Sequence, residues 1–371
     1  MTNQTILSII EKYRRLLFYI HGHPTRGLMP KGQLCYIEDP TSLTTHGDVV
    51  HPCIRYIEKG FEGHKWWMVY TPYYNGNDSL ENPRLCYADA EEGTPPIKWS
   101  FYCYIKDTPL TGYNSDPTML FVDGNLYAFW RECETPSTKR IGCKYATFGC
   151  KIHNKKVIQF PEPLLACGFC KEDPSVDKEV CPSFIVINKE LRAYAMDFDF
   201  VPKFIQHIPS KLGSFMYRHS MFFFFDAFGI FKHEKNNGVA IWNGNSLEQR
   251  FVYTKTVKFS GVSKLYQPWH MDLFRDDTEN DGKIYAVVQS SMRFADICLA
   301  WSNDGEHFHF CKKQLLTSRS ICAYGIYKPS ALIHDNRLYL YYTVRDSHNY
   351  QWNKMFVSSY NWSNLKRELD L

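Results

Sequence analysis

The chain is 371 residues long, 44% apolar and 22% charged, values that exclude a disordered, collagenous or coiled-coil protein. Its 43 basic and 39 acidic residues leave a net charge of +4, too small a surplus to point to a nucleic-acid partner. No apolar run approaches the roughly 18 residues of a membrane helix; the longest, Met221 to Phe225, is the size of a strand. Aromatic residues are abundant at 16%, with 25 Tyr, 26 Phe and 9 Trp. Such side chains suit the pleated surface of β-structure, and flat rings also stack on sugars.

At the N-terminus, Ile6, Ile9, Ile10, Tyr13, Leu16, Leu17 and Ile20 recur at helical spacing. Residues 5–20 are therefore predicted as a helix, ended by His21-Gly22-His23-Pro24. Glu11, Lys12, Arg14 and Arg15 interrupt the apolar stretch that a signal peptide needs, so a cytoplasmic location is expected. The 13 cysteines then read as reduced, buried thiols rather than a disulfide framework. Residues 1–44 are taken as helix and lead-in, and residues 45–371 as one folded unit.

Within that unit one pattern recurs: a proline, a short apolar strand, a turn, and an aromatic-rich strand. It runs His51-Pro52 to Ile57 then Trp66 to Thr71, and Asp116-Pro117 to Val122 then Leu126 to Arg131. Cys181-Pro182 to Ile187 is followed by Leu191 to Met196, and Gln267-Pro268 to Phe274 by Ile284 to Val288. Lys328-Pro329 to Ile333 precedes Leu338 to Thr343. The prolines step by 65, 65, 86 and 61 residues. Further apolar segments, Arg84 to Ala88, Ile141 to Ala146, Gly238 to Trp242 and Ile297 to Trp301, supply more strands between them. Five units of about four strands predict an all-β fold, a five-bladed β-propeller, in which radial repetition hides strand edges. A proline at a strand start is tolerated because no ladder donor is needed there.

These units resemble the five-bladed propeller superfamily of glycoside hydrolases that includes families 43, 32 and 130. Asp116-Pro117 with Phe121-Val122-Asp123-Gly124-Asn125-Leu126-Tyr127 carries the likeness, together with Tyr339-Leu340-Tyr341-Tyr342 and Trp66-Trp67-Met68-Val69-Tyr70-Thr71-Pro72-Tyr73. The resemblance implies three carboxylates at one mouth of the channel: a base or nucleophile from the first blade, a modulator from the second, a general acid from the third. It also implies an inverting mechanism. Asp116 matches the second position. His51 stands at the first, with Asp48 three residues earlier, and Cys181 at the third, with Glu179 two residues before it on the same strand face.

Glycoside hydrolysis needs one protonated carboxyl and one carboxylate. The acids near inner-strand ends or the loops beyond them are Asp116, Glu179, Asp48, Glu81, Glu132 and Asp272. Glu81 closes a long loop, Thr71 to Pro83, rich in Tyr, Asn and Asp, in which Tyr73 is a candidate sugar contact. Trp269, His270 and Asp272 cluster at a strand start, where a histidine beside a carboxylate suits proton transfer. Arg131 and Arg345 end the second strands of the second and fifth units and could clamp an anionic sugar.

Metal and cofactor signals are weak: Cys167-Gly168-Phe169-Cys170 is a lone C-x-x-C, with Cys150 and Cys181 at spacings unlike zinc modules. No nucleotide-binding glycine motif is present, and no cofactor is expected. The expected partner is a carbohydrate, with no nucleic acid and no membrane. The principal reading is a glycoside hydrolase. A phosphorylase or glycosyltransferase using His51, Arg131 and Lys328 on phosphate, or a propeller that binds sugar without turnover, stays open.

Overall fold

The computed structural model describes residues 27–39, 49–74, 77–91, 93–134, 144–167, 179–197, 238–262, 268–278, 282–290, 296–318, 320–321, 323, 325–345 and 352–371. The helix predicted for residues 5–20 lies outside them.

Five sheets follow one another along the chain, each built on one of the five predicted hairpins and antiparallel except where β16 joins β20 and β2 joins β6. Blade I holds β3 (Val49–Phe61), β4 (His64–Pro72), β5 (Arg84–Ala88) and β6 (Lys98–Tyr104) from axis to rim. Blade II holds β7 (Gly112–Val122), β8 (Asn125–Glu134), β9 (Lys144–His153) and β10 (Lys156–Gln159), with β11 (Leu165–Cys167) also on β9. Blade III is β12 (Glu179–Ile187), β13 (Glu190–Asp197), β14 (Val239–Gly244) and β15 (Val252–Thr256). Blade IV is β17 (Pro268–Phe274), β18 (Ile284–Ser290), β19 (Asp296–Ser302) and β20 (His307–Thr317), edged by β16 (Lys258–Ser260). Blade V is β21 (Gly325–His334), β22 (Arg337–Arg345) and β23 (Trp352–Asn361). The protein is a five-bladed β-propeller.

Closure comes from the lead-in segment. β1 (Gln33–Leu34) pairs with β23 and completes blade V, and one residue later β2 (Tyr36–Glu38) pairs with β6 at the rim of blade I. The propeller thus draws on residues ahead of the boundary at 45 read from the sequence. Strands of two and three residues carry no periodic signal of their own. At Gly32 the backbone passes so close to Val357 that a side chain would meet its carbonyl at 2.1 Å.

Core residues alternate with period two along the inner strands, and each blade packs face to face on the next. The buried side chains form five clusters, one per junction. Trp67, Trp130 and Met119 fill that between blades I and II, and Phe129 and Phe184 stack between II and III. Tyr194 and Phe308 meet between III and IV, Tyr285 and Tyr342 lie between IV and V, and Trp66 and Tyr339 pack edge to face between V and I. Much of the aromatic surplus is spent here. Each such ring removed from water contributes about 1.5–3 kcal/mol. Cys35, Cys53, Cys86, Cys150, Cys181 and Cys311 are buried free thiols, as expected, and Cys103 is a half-buried one; Cys133 and Cys298 are buried too.

A short helix, α1 (Trp362–Leu369), packs Trp362, Leu365 and Leu369 against blades IV and V. Asn361 caps its start by accepting from the Asn364 amide, and Asp370 ends it in the left-handed region. Two turns present too few apolar positions for helical periodicity to declare itself, so the sequence does not announce this helix. Among the described residues, no helix is long and apolar enough to cross a membrane.

Candidate functional site

Every innermost strand is interrupted near its start by a β-bulge. The register slips between Val50 and Cys53, Ser115 and Thr118, Val180 and Ser183, Pro268 and His270, and Tyr327 and Ser330. In four blades the residue before proline sits at positive φ: His51 at 60°, Asp116 at 51°, Cys181 at 56° and Lys328 at 38°. Backbone of this kind costs about 1–3 kcal/mol per residue and gathers at functional sites, where a bulge re-aims a side chain.

Below the bulges a lower layer of side chains stitches the blades together. Cys53 Sγ accepts from the Met119 amide (3.3 Å), Ser183 Oγ from Leu273 (3.3 Å) and Ser330 Oγ from Ile54 (3.0 Å). In blade IV the equivalent acceptor is Asp272 Oδ2, taking the Ala331 amide at 3.1 Å. This pattern corrects the alignment of the fourth repeat: Asp272 corresponds to Cys53, Thr118, Ser183 and Ser330, and His270 to His51, Asp116, Cys181 and Lys328. Pro268 lies three residues ahead of the place that the other prolines mark.

Asp272, read from the sequence as a candidate acid, is therefore placed in the lower layer. Arg55 grips its carboxylate with two bonds of 2.9 and 3.2 Å, and Ser330 and Ser183 donate to it at 2.6 and 3.3 Å. Its oxygens are occupied by groups from blades I, III and V, which suits a clasp.

The upper layer is where reactive groups converge. His51 Nε2 lies 3.2 Å from Asp116 Oδ1 and 3.1 Å from the Tyr327 hydroxyl, and its Nδ1 is 2.9 Å from Thr71 Oγ1 and 3.7 Å from Glu81 Oε2. Arg131, opposite Ser115 on β8, reaches Asp116 Oδ2 at 2.8 Å and takes the Ser115 hydroxyl as an acceptor. Lys328 turns its ammonium to the Pro117 carbonyl at 2.8 Å. Glu81, brought in by the loop after β4, is 4% exposed, and its Oε2 has no hydrogen-bond partner.

Electrostatics separates the two carboxyls. Burial would raise Asp116, but Arg131, then His51 and Lys328, hold it well below the usual carboxylate range. Burial, and then the Asp116 charge, push Glu81 well above that range, toward its protonated form. Burial lowers His51 to about 3 and outweighs the opposing pull of Asp116. His270 is likewise held neutral, first by burial, and burial keeps Cys181 as a thiol.

Of the remaining sequence candidates, Trp269 is half-buried and packs edge-on against His270 at 6.2 Å between ring centroids. Tyr73 follows β4, and Arg345 ends β22 opposite Gly325, at the same end of the channel as the upper layer. Glu132 follows Arg131 on β8 and so points to the other sheet face. The backbone of Glu179 begins β12, paired with Asp197. Asp48 lies outside the described residues. Thr71 and Tyr327, which hold His51, were not singled out as site residues by sequence reasoning; Thr71 ends the Trp66 to Thr71 strand, and Tyr327 immediately precedes the Lys328-Pro329 motif that could have flagged it.

Three donor types suited to a metal ion meet in this layer: one ligand atom each from Asp116, Cys181 and His270 lie within 4.8 Å of one another. Cys150, by contrast, packs between blades I and II. A small cavity of about 10 Å³ touches Cys181, His270 and Lys328 just above the lower layer. A groove of about 810 Å³ opens at the far end of the channel near Tyr56, Trp66 and His334, away from these groups.

No protein-family model and no curated protein matches the sequence. Solved structures do match along almost the whole chain. An N-acetylgalactosamine deacetylase from F. plautii, in complex with blood group B trisaccharide, is 12% identical with a TM-score of 0.61, covering 93% of this chain and 97% of that one. The GH43_1 enzyme from Xanthomonas citri complexed with xylose is 12% identical with a TM-score of 0.54, covering 86% and 89%. Zg3597, a family 117 glycoside hydrolase from Zobellia galactanivorans, is 10% identical with a TM-score of 0.55, covering 90% of each chain. The shared feature is the fold.

Proposed function

We propose that the chain is a carbohydrate-active enzyme that hydrolyses a glycosidic bond at the upper end of its channel. The observation that carries this reading is the pair of buried carboxyls on either side of His51, in surroundings that shift Glu81 upward and Asp116 downward. Environments that push two carboxyls apart in this way assign acid and anion roles. Glu81 gives its proton to the leaving oxygen. Asp116, fixed by Arg131, stabilises the positive charge that develops on the sugar ring. His51 keeps both in place, with Thr71 and Tyr327 fixing its plane.

A second carboxylate activates the water, a role we assign to Glu179 at the start of β12 or to Asp48. Trp269, Tyr73 and Arg345 at the rim form the sugar contacts. That neighbouring folds were solved with xylose and with a trisaccharide supports a sugar ligand.

The test is a turnover screen on oligosaccharides, with and without phosphate, beside Glu81→Gln and Asp116→Asn. Release of reducing sugar that falls at least about 100-fold in Glu81→Gln supports the assignment. Strict phosphate dependence would move the reaction to phosphorolysis. Release of acetate from N-acetylated amino sugars with no glycosidic cleavage would overturn the glycosidase reading in favour of deacylation.

A further inference from the structure

We propose that Asp116, Cys181 and His270 form a zinc site on the channel axis. The three occupy equivalent positions in consecutive blades II, III and IV, next to the bulges that turn side chains toward the axis. Carboxylate, thiolate and imidazole together are a zinc donor set, whereas calcium and magnesium select oxygen alone. Cys181 Sγ and His270 Nε2 are 3.7 Å apart. Bonds of about 2.3 Å to sulfur and 2.05 Å to nitrogen place those atoms about 3.5 Å apart in a tetrahedron.

Two independent observations point to a ligand at this place. Asp116 is 1% exposed, yet its Oδ1 has no hydrogen-bond partner, and the Nε2 of the equally buried His270 faces the weak thiol contact. A buried polar group left in this way calls for an ion or water. A cavity of about 10 Å³, lined by Cys181 and His270 together with Asp272 below but not by Asp116, adjoins the three donors and has room for one water-sized particle.

The surrounding charges are compatible with a dication. Binding releases the Cys181 proton to solvent, so thiolate and carboxylate balance the two positive charges of zinc. Arg131 occupies Asp116 Oδ2 and leaves Oδ1 for the metal, and the Lys328 ammonium points to the Pro117 carbonyl. Three protein donors with a fourth position open is the pattern of a catalytic rather than a structural zinc. The site shares Asp116 with the glycosidase reading, but zinc occupancy is measured without any substrate, so the two fail separately.

Protein stripped with a chelator should take up one zinc per chain, and cobalt in its place should show thiolate-to-metal charge-transfer absorption. Cys181→Ser and His270→Gln should each weaken zinc by about 100-fold or more and abolish the cobalt band, while Cys103→Ser leaves both unchanged. X-ray absorption at the zinc edge of the unmodified protein should show one sulfur among nitrogen and oxygen neighbours, a reading that survives if a variant fails to fold. Failure to bind zinc, a zinc shell without sulfur, or calcium binding in preference to zinc would overturn the proposal.

Discussion

The same five strands build two layers of side chains, one directly beneath the other, and the layers could hardly differ more. In the lower one, Asp272 takes two bonds from Arg55, two from serine hydroxyls and one from a backbone amide. In the upper one, Glu81 Oε2 and His270 Nδ1 are buried without a partner, and four residues sit at positive φ. A charged group that is fully bonded holds blades together; one that is partly bonded and strained is kept for a ligand. The contrast teaches that an acid on the axis is read by its partners rather than by its position.

If that contrast holds, the largest loss should come from the lower layer. Asp272→Ala strands the Arg55 guanidinium, and chemical denaturation should show a loss of about 3–5 kcal/mol. An Arg55→Met, Asp272→Leu double variant should recover much of it, since removing both charges removes the penalty; a double variant as unstable as the single would break the comparison.

Next in size is the acid response of the upper layer. His51 titrates near 3 when folded and near 6.5 when unfolded, so below pH 6.5 the unfolded chain binds the extra proton. Its contribution is therefore present above 6.5 and lost as pH falls toward 3, at up to about 1.4 kcal/mol per pH unit. Thermal melts across that window should be less steep in His51→Asn.

Ser183→Ala, which removes one donor to Asp272 and one acceptor for Leu273, should cost about 1–2 kcal/mol. Smallest in stability is Glu81→Gln, expected within about 1 kcal/mol because the native carboxyl is already neutral, although turnover should fall steeply. A Glu81→Gln chain that melts far below the parent would show that carboxyl to be a structural member like Asp272.

The propeller was legible because its signals are local: a proline at the strand start, a short apolar run, and a turn before each aromatic strand. Asp116, His51 and Arg131 were legible for the same reason, since the motif fixes where they point. Asp272 was not, because the group that neutralises it, Arg55, is 217 residues away in sequence. Blade IV misled for a related reason: Pro268 starts its strand, but the bulge falls between Pro268 and His270, so a marker good in four repeats slips in the fifth. Cys181 and Lys328 declare nothing by residue type. The proline after each aligned them with His51 and Asp116, and the common bulge adds His270 to the same ring.

The way the circle is shut carries a consequence for how the chain is made. β1, the first strand among the described residues, pairs with β23, Gln33 against Val357, so it waits for the outer strand of the fifth blade before it gains a neighbour. Joining ends so far apart costs loop entropy that no earlier contact repays, and contacts of that span slow folding. Until then two open sheet edges face solvent, each a template for another chain. Blades I to IV can pack as they are synthesised, but the propeller becomes a closed object only in its final residues, and a nascent chain halted short of β23 is a candidate for aggregation or for a chaperone.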